Sequence, residues 1–329
     1  MLHGRVFVTG AGGYVGSALV PALLASGHEV VAHDLFLYGD VLAPHPALTI
    51  IKGDVRDRAE LVRTAAGCDA LIHLACISND PSFDLDPALG RAINFDAFAH
   101  VIDACEQNRI VRLIVASSTS QYGVKPAGVE VTEDIEAEPI TDYARFKIAC
   151  EQMLIGRAPP GLEFVFVRPA TLCGYAPRLR LDLSVNILTI HALVEKKIKV
   201  FGGEQMRPAL NIRDMVRFYQ LMLAAPAATI HGQAFNVSCE NKTINEIAML
   251  VRATLGDDDI AVDVSPSQDS RSYRVNTDKA LRVLGFRCEY DLASAIRSIR
   301  DAFQGGLLQD PLTNPLYYNI KRMKQLELR

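Results

Sequence analysis

Three glycines, Gly10, Gly13 and Gly16, stand where the first apolar run of the chain meets its first helix-like segment. The run at 5–9 is typical of a buried strand, and the stretch at 14–26 of an amphipathic helix. A tight turn between such elements needs residues without side chains: one for the turn, one where the backbone approaches a ligand, and one where helix and strand pack closely. The helix N-terminus that follows suits an anion. The spacing therefore predicts a strand–turn–helix unit that binds the pyrophosphate of a dinucleotide.

The first half of the chain alternates short apolar runs with amphipathic stretches of helical length. This alternation is typical of right-handed βαβ units around a parallel sheet. Several runs are almost entirely apolar, as expected when helices cover both faces of the sheet. The sequence thus predicts an α/β fold with a doubly wound parallel sheet of the Rossmann type. The expected strands are 5–9, 29–34, 48–52, 70–75, 112–117 and 163–168, and the expected helices are 14–26, 58–66, 87–108 and 141–156.

The alternation of strands and helices breaks after Pro169. We expect an irregular stretch from 171 to 208, with one helix at 184–196. Regular segments then resume, as helices near 213–224 and 244–255 and a strand near 234–238. We therefore predict a cofactor domain over 1–170, to which 209–255 partly returns, and a smaller mixed α/β substrate-binding domain over 171–329.

Composition excludes several classes of protein. Lys+Arg 34 against Asp+Glu 38 leaves the 329-residue chain with a net charge of -4, so it lacks the basic surface that nucleic-acid binding requires. A hydrophobic fraction of 49% is too high for a disordered chain. The apolar runs are too short to cross a bilayer, and residues 1–5 lead into the first strand without a signal peptide. We expect partners that are neither nucleic acids nor membranes.

The seven cysteines are scattered, odd in number and never spaced as Cys-x-x-Cys. A disulfide framework or a zinc site would show paired spacing. We therefore expect reduced thiols, a cytoplasmic location and no metal site.

An acidic residue, Asp34, ends the second predicted strand. In a dinucleotide-binding fold a carboxylate at this point accepts hydrogen bonds from the adenosine ribose hydroxyls. No arginine follows directly to hold a 2′-phosphate, and the carboxylate would repel one. The predicted cofactor is therefore NAD rather than NADP.

Tyr143 and Lys147 are four residues apart in a predicted helix, so their side chains share one face. An ammonium beside a phenol favours the phenolate and is expected to bring the phenol pKa from about 10 towards the working range. Such a phenol is a general base for an alcohol and a general acid for a ketone. The pair predicts proton transfer coupled to hydride transfer.

The spacing Gly-x-x-Gly-x-x-Gly resembles that of the extended short-chain dehydrogenases/reductases, the NAD-dependent epimerase/dehydratase family, and the resemblance covers most of the chain. It implies that Asp54 and Val55 contact adenine and that 73–75 lines the cofactor. It also implies a structural role for Asn94 in the long helix expected at 87–108. The predicted cofactor-binding residues are Gly10, Gly13, Tyr14, Val15, Gly16, Asp34, Asp54, Val55, Leu74, Ala75, Asn94, Tyr143 and Lys147.

Residues 117–123 match the family pattern Ser-Ser-x-x-x-Tyr-Gly, which makes Ser118 the catalytic hydroxyl beside Tyr143 and Lys147. Family dehydratases carry Asp and Glu after this hydroxyl, decarboxylases a Glu and 3,5-epimerases a Cys at the second position. This chain has Thr119 and Ser120, which do not exchange protons near neutral pH. The pattern favours hydride chemistry at a single carbinol carbon over elimination, decarboxylation or enolisation.

Arginines of the second half resemble the family's phosphate ligands. Arg207 and Arg271 lie in matching segments, although Pro208 follows Arg207 where the family usually has Asp. The guanidinium fork suits phosphate oxygens. Arg178 and Arg180 lie where the family begins to enclose the sugar. The predicted substrate-binding residues are Thr119, Arg180, Arg207 and Arg271.

The sequence favours an NAD-dependent nucleotide-sugar 4-epimerase, whose substrate is a nucleotide-diphosphate sugar. A nucleotide-sugar 4-dehydrogenase or 4-ketoreductase would use the same three catalytic residues, and the stretch at 174–182 is similar to bacterial 4-dehydrogenases. A non-catalytic dinucleotide sensor is a third alternative, disfavoured by the retained Tyr143 and Lys147. The family also implies a homodimer formed through the helices at 87–108 and 141–156.

Overall fold

A computed structural model describes residues 4–78, 80–126, 128–267 and 272–326. These residues form fourteen strands and thirteen α-helices. The strands are β1 (Arg5–Thr9), β2 (Glu29–Asp34), β3 (Leu48–Lys52), β4 (Ala70–His73), β5 (Arg112–Ala116), β6 (Glu130–Val131), β7 (Glu163–Pro169), β8 (Thr171–Cys173), β9 (Lys197–Phe201), β10 (Met206–Asn211), β11 (Gln233–Val237), β12 (Glu240–Thr243), β13 (Ala261–Ser265) and β14 (Arg274–Val275). The helices are α1 (Tyr14–Ala25), α2 (Arg58–Thr64), α3 (Asp80–Phe83), α4 (Pro87–Arg91), α5 (Phe98–Asn108), α6 (Asp142–Arg157), α7 (Ser184–Glu195), α8 (Ile212–Ala224), α9 (Ala227–Ile230), α10 (Ile244–Leu255), α11 (Asp278–Leu284), α12 (Leu292–Gln304) and α13 (Asn319–Leu326).

The largest sheet has seven parallel strands in the order β11-β7-β5-β4-β1-β2-β3. Its centre is apolar: Phe7 of β1 lies opposite Val31 of β2 on one side and Leu71 of β4 on the other. The predicted doubly wound parallel sheet is therefore confirmed. Strand order reverses between β1 and β4, and in such sheets a ligand binds outside the carboxyl ends of the strands at this reversal.

Helices cover both faces of this sheet. On one face, Val8 of β1 packs with Leu19 of α1 and Met222 of α8. On the other face, Phe7 packs with Val101 of α5, which itself lies against α2. Buried apolar side chains on both faces explain why the strand sequences are nearly continuous apolar runs. No helix in the described part of the chain is both long enough and apolar enough to cross a membrane.

The segment from 171 to 208, expected to be irregular, contains three strands besides its helix. β8 and β10 are parallel neighbours in a sheet that β12 completes, and β9 pairs in parallel with β13. In β9, Ile198 and Val200 point into a core while Lys199 and Phe201 are exposed. That alternation of apolar and exposed residues is a strand signal that the expectation missed.

Part of the segment 209–255 lies on the large sheet. β11 is the edge strand beside β7, and α8 packs against α1. Helix α10, in contrast, packs with α7 and α12 around Ile247 and Ile296 in a separate core. The chain therefore crosses between the two cores several times, and the exact domain limits stay a prediction.

Cys239 and Cys288 form a disulfide, with 5.7 Å between their Cα atoms and a sequence separation of 49. The expectation that every thiol is reduced is therefore wrong for this pair. Cys239 follows β11, and α11, which precedes Cys288, packs against that strand. Because tertiary packing brings the two residues together, their spacing in the sequence carries no pairing signal. The remaining five cysteines are free.

Candidate active site

A cavity of about 770 Å³ lies at the carboxyl ends of the central strands. Its walls include residues that follow β1, β2, β4 and β5 on one side. Residues of the second half also line it, among them Arg178, Arg180, His191 and Arg207. The cavity thus occupies the crevice where a doubly wound sheet binds its ligand.

The glycine turn forms one end of the cavity. A Cβ on Gly10, which has φ 73°, would lie 2.5 Å from the Ala75 nitrogen, and a Cβ on Gly16 would lie 2.4 Å from the Gly10 carbonyl oxygen. Gly13 caps α1 without a side chain, and the first turn of α1 carries no acidic residue. The N-terminus of α1 therefore faces the cavity with its positive dipole end open to an anion. The cradle fits a dinucleotide pyrophosphate.

Asp34 lies beside this turn at the end of β2. Its Oδ2 accepts a hydrogen bond from the Gly12 N–H at 3.0 Å, and its Oδ1 accepts one from the Phe36 N–H at 2.6 Å. Burial raises the pKa of Asp34, an effect that these two bonds and the charge of Arg178 oppose. The carboxylate is fixed at the rim of the cavity, where a ribose would meet it.

The other predicted cofactor residues are on the same wall, with one exception. Asp54 is held by Arg56, whose Nη2 lies 2.7 Å from Oδ2, and the pKa of Asp54 is lowered because these bonds outweigh burial. The predicted cofactor-binding residues that line the cavity are Gly10, Gly13, Tyr14, Val15, Gly16, Asp34, Asp54, Val55, Leu74, Ala75, Tyr143 and Lys147.

Asn94 is the exception, because it does not line the cavity. Its Oδ1 accepts a hydrogen bond from the Ile77 N–H at 2.8 Å, and its Nδ2 donates one to the Ile77 carbonyl oxygen at 2.9 Å. It lies in a π-helical turn, Ala92–Asp96, that separates α4 from α5 and breaks the single helix predicted over 87–108. Asn94 therefore holds the loop after β4, whose Ile77 lines the cavity.

Tyr143 and Lys147 are on the first turns of α6 and both line the cavity. Thr141 caps the helix by accepting a hydrogen bond from the Ala144 N–H at 3.3 Å. The Lys147 Nζ donates a hydrogen bond to the Ala116 carbonyl oxygen at 2.7 Å and lies 5.7 Å from the centre of the Tyr143 ring. The shared helix face predicted from their spacing is what brings both side chains to the cavity.

The net pKa shift of Tyr143 is opposite to the expected one. Burial raises the pKa of Tyr143 to about 12, and the charges of Lys147 and Arg180 only partly oppose this. For Lys147, burial acts to lower the pKa, but Cys76 and Tyr143 raise it, giving about 12. The expectation of a lowered phenol pKa considered the ammonium alone, whereas burial also penalises the phenolate. Lys147 remains a cation at neutral pH.

Ser118 follows the end of β5 and lines the cavity. Its Oγ accepts a hydrogen bond from the Ser120 N–H at 3.1 Å and donates to the Ser120 Oγ at 2.9 Å. The neighbouring Thr119 is buried, and its Oγ1 donates to the Pro169 carbonyl oxygen at 3.1 Å. Ser118, Thr119 and Ser120 all line the cavity with Tyr143. The two residues after Ser118 therefore carry hydroxyls and no carboxylate.

The predicted substrate arginines have different surroundings. Arg180 is 8% exposed, its Nε lies 2.9 Å from Asp182 Oδ1, and its Nη1 donates to the Ser78 Oγ at 3.0 Å. Arg207, on β10, also lines the cavity. Arg271 lies outside the described residues. Two of the three arginines predicted for substrate binding are therefore at the cavity.

The sequence profile of the NAD dependent epimerase/dehydratase family matches residues 6–238, more than half of the chain. This chain belongs to that family. A relative, the UDP-glucose 4-epimerase of Mycolicibacterium smegmatis, is 29% identical over 91% of this chain and 98% of its own length. The dTDP-glucose 4,6-dehydratase of Streptomyces niveus is 26% identical over 93% of this chain and 91% of its own length. MoeE5, solved in complex with UDP-glucose and NAD, has a TM-score of 0.80 and 27% identity over 92% of this chain and 100% of its own.

Family membership agrees with the arrangement of the cavity. The glycine turn, Tyr143 and Lys147, which carried the sequence resemblance, lie on one continuous surface of an NAD-dependent epimerase/dehydratase fold. The chain is therefore an enzyme of the nucleotide-sugar epimerase and oxidoreductase type. The relatives carry out different reactions, so membership alone does not select among them.

Several cavity residues of this family member were not predicted. Tyr38 follows β2, Tyr219 comes from α8, and Asn319 starts α13 near the end of the chain. A signal existed for Tyr38, which closely follows Asp34 in the sequence. No local pattern marks Asn319, because only the fold of residues 315–326 brings it to the cavity.

Proposed function

We propose that this protein is an NAD-dependent nucleotide-sugar 4-epimerase, which removes and restores hydride at sugar C4 through a 4-keto intermediate. One observation carries the proposal: Tyr143, Lys147 and Ser118 share a cavity with the dinucleotide cradle, while hydroxyls occupy positions 119 and 120. Eliminating or decarboxylating relatives need an acid or base there. The three residues suffice for the reversible oxidation of one carbinol, and positions 119 and 120 add no acid or base for elimination or decarboxylation.

NAD is the proposed cofactor. The glycine cradle leaves no room for a Cβ at Gly10 or Gly16, and Asp34 at the rim suits ribose hydroxyls and repels a 2′-phosphate. MoeE5, a relative of known structure, was solved with NAD. When bound, NAD supplies the acceptor and the donor of the hydride.

The residues of this chain supply proton transfer and orientation. The Tyr143 phenol oxygen takes the proton of the sugar 4-hydroxyl and later returns it to the 4-keto oxygen. Lys147 favours the phenolate through its charge, because its Nζ is fixed on the Ala116 carbonyl oxygen. Ser118 orients the reacting oxygen by a hydrogen bond. An epimerase needs in addition that the keto-sugar rotates in the pocket and presents its other face.

A nucleotide-diphosphate sugar is the proposed substrate. Arg180 and Arg207 are cations that line the cavity, and guanidinium groups suit phosphate oxygens. MoeE5 was solved with UDP-glucose and also with UDP-glucuronic acid. These complexes of MoeE5 support a nucleotide-diphosphate sugar as the class of substrate. The assay below must identify the nucleotide base and the sugar.

The deciding experiment assays the purified protein, stripped of any bound dinucleotide, with UDP-, GDP- and dTDP-sugars in the presence and absence of NAD. We expect conversion to the C4 epimer, followed by NMR, without net change in NADH absorbance. Stoichiometric NADH would instead indicate a 4-dehydrogenase. Binding of NAD without conversion of any sugar would indicate a sensor. Tyr143→Phe is the control, and its continued full activity would contradict the mechanism.

A homodimer is the proposed assembly. Helices α5 and α6 pack side by side, and Ile155 on α6 is 62% exposed. Two copies joined through these helices would cover that side chain. Light scattering should give twice the chain mass for the native protein and the chain mass for Ile155→Arg. A native monomer would contradict this assembly.

A further inference from the structure

Arg178 is a buried cation with incomplete hydrogen bonding. It is 3% exposed and lines the cavity, and its Nη2 donates a hydrogen bond to the Asn319 Oδ1. Its Nε and Nη1 are buried and form no hydrogen bond of good geometry with a described residue, although the Tyr38 side chain lies against the guanidinium and raises its pKa. Leaving two nitrogens of a buried guanidinium without an acceptor is costly, so the arrangement is suited to a ligand that supplies acceptors.

The location of Arg178 indicates which part of a ligand it would meet. Its backbone N–H donates to the Ser17 Oγ on the first turns of α1 at 3.1 Å. Its guanidinium carbon lies 3.7 Å from the centre of the Tyr38 ring, and its charge acts on the carboxylate of Asp34. The group thus lies at the cradle end of the cavity, between the start of α1 and the residues that follow β2.

The neighbouring charges leave Arg178 available to an anion. Asp182 pairs with Arg180, whose Nε lies 2.9 Å from its Oδ1. Both Asp34 oxygens accept backbone N–H groups. Burial lowers the pKa of Arg178 to about 10, so it is still a cation at neutral pH. A ligand with negatively charged oxygens would satisfy both its charge and its unpaired N–H groups.

We propose that Arg178 binds the diphosphate of the dinucleotide together with the N-terminus of α1. This inference rests on the proposed function, since it takes NAD as the ligand of the cradle. The diphosphate is then held by a helix dipole and a guanidinium, which come from the two halves of the chain.

The C-terminal helix α13 positions Arg178. The Asn319 Nδ2 donates to the Ser78 carbonyl oxygen at 3.1 Å, and its backbone N–H donates to Asp182 Oδ2 at 3.3 Å. One turn further on, the Arg322 Nε donates to the Leu37 carbonyl oxygen at 2.5 Å. The helix is thereby tied to the loops after β2 and β4. Asn319 is a positioning residue, because it orients the guanidinium through its Oδ1.

The test compares ligands that differ only in phosphate. Calorimetric titration with adenosine and with ADP measures what the diphosphate adds to affinity. We expect Arg178→Gln to weaken ADP binding by about 10- to 100-fold while adenosine binding is unchanged. Arg178→Lys should recover part of the loss, and Asn319→Ala should give a smaller loss of the same kind. Lys324→Ala, an exposed change on the same helix, is the matched control and should bind ADP like the native protein.

Each other outcome has a defined meaning. Equal loss for adenosine and ADP, or no loss for either in a variant whose thermal unfolding matches the native protein, overturns the inference. Titration with UDP separates the two diphosphate sites: a loss confined to UDP would assign Arg178 to the sugar nucleotide and also overturns it. If Arg178→Gln does not fold, the ratio of ADP affinity to adenosine affinity in Arg178→Lys and Asn319→Ala decides instead. A native protein that binds neither ADP nor NAD contradicts the proposed function itself.

Discussion

The Lys147 ammonium donates a hydrogen bond to the Ala116 carbonyl oxygen, with 2.7 Å between Nζ and oxygen. Ala116 is the last residue of β5, two residues before Ser118, and Lys147 lies one helical turn after Tyr143. This bond therefore joins the helix that carries the phenol to the strand that carries the hydroxyl. The relative placement of the three proposed catalytic residues depends on it.

Replacing Lys147 by Met is expected to lower kcat by about 10²- to 10⁴-fold, the usual contribution of positioned proton transfer. The change removes both the bond to Ala116 and the charge that favours the Tyr143 phenolate. Steady-state kinetics of the epimerisation measures it. Arg145→Met is the matched control, because Arg145 is on the same helix but exposed and paired with Asp142. A loss of similar size in both variants would contradict the role of Lys147.

The pH dependence of the reaction should reflect the buried phenol. Burial raises the pKa of Tyr143 to about 12, so the neutral phenol predominates at pH 7 and the phenolate fraction rises with pH. We expect kcat/KM to increase from pH 6 to pH 9 without reaching a plateau. In Lys147→Met the remaining increase should move to higher pH, since the charge that lowers the phenol pKa is gone. A native profile that is flat across this range would contradict the assignment of Tyr143 as base.

Ser118→Ala should lower kcat by about 10- to 100-fold, the effect of losing one hydrogen bond to a reacting oxygen whose charge changes. The same side chain caps the short helix Thr119–Tyr122, and the loss of that cap should cost about 1 kcal/mol of unfolding free energy. Ser118→Thr keeps the hydroxyl and should restore most of both. If Ser118→Ala loses stability while kcat is unchanged, the residue is a cap and not a catalytic group.

Local patterns predicted the cofactor side of this protein well. The strands at 5–9, 29–34 and 48–52 were predicted with the limits that the structure has. For the first two strands pattern and burial agree, because both are buried apolar runs between turn residues. The strand at 48–52 is at the edge of the sheet and only partly buried. The glycine turn was predictable because its contacts are local. A side chain at Gly16 would clash within the strand–turn–helix unit, and one at Gly10 would clash with residues just after the adjacent strand.

Features that depend on distant contacts were not predicted. The raised pKa of Tyr143 results from its burial in the folded protein, which the i, i+4 spacing of Tyr143 and Lys147 does not show. Asn319 reaches Arg178 and Ser78 from far along the sequence. Cys239 and Cys288 meet only after α11 packs on β11. In each case the information lies in tertiary packing and leaves no local spacing to find.

His33 should make the protein sensitive to acid. Its ring is 0% exposed, neither nitrogen has a hydrogen-bond partner among the described residues, and burial lowers its pKa to about 4. Because the unfolded chain takes up the proton near pH 6.5 and the folded one only near 4, the stability is complete above 6.5. It falls as the pH drops through this window, by on the order of 3 kcal/mol for a shift of this size.

Replacing His33 by Leu tests this directly. The variant should be at least as stable as the native protein at pH 7, because it removes an unpaired buried polar group. Between pH 6.5 and pH 4 it should lose less stability than the native protein. Urea unfolding at several pH values gives the difference curve, in which other titrating groups cancel. A difference that does not vary with pH would show that His33 is not the acid-sensitive group.

The disulfide between Cys239 and Cys288 is expected to stabilise the fold. Closing a loop of the 49-residue separation should contribute about 4 kcal/mol by restricting the unfolded chain. For a chain of this length, that corresponds to roughly 6 °C in Tm. Addition of dithiothreitol should lower the Tm of the native protein by this order.

The double variant Cys239→Ser/Cys288→Ser is the control for this effect. It should unfold at the lower temperature with and without reductant, because neither residue then forms the bond. Mass spectrometry of the native protein, alkylated in denaturant without reductant, should show five modified cysteines, those that are free in the structure. Alkylation of all seven, together with a Tm that does not respond to dithiothreitol, would mean that the two thiols are not joined in solution.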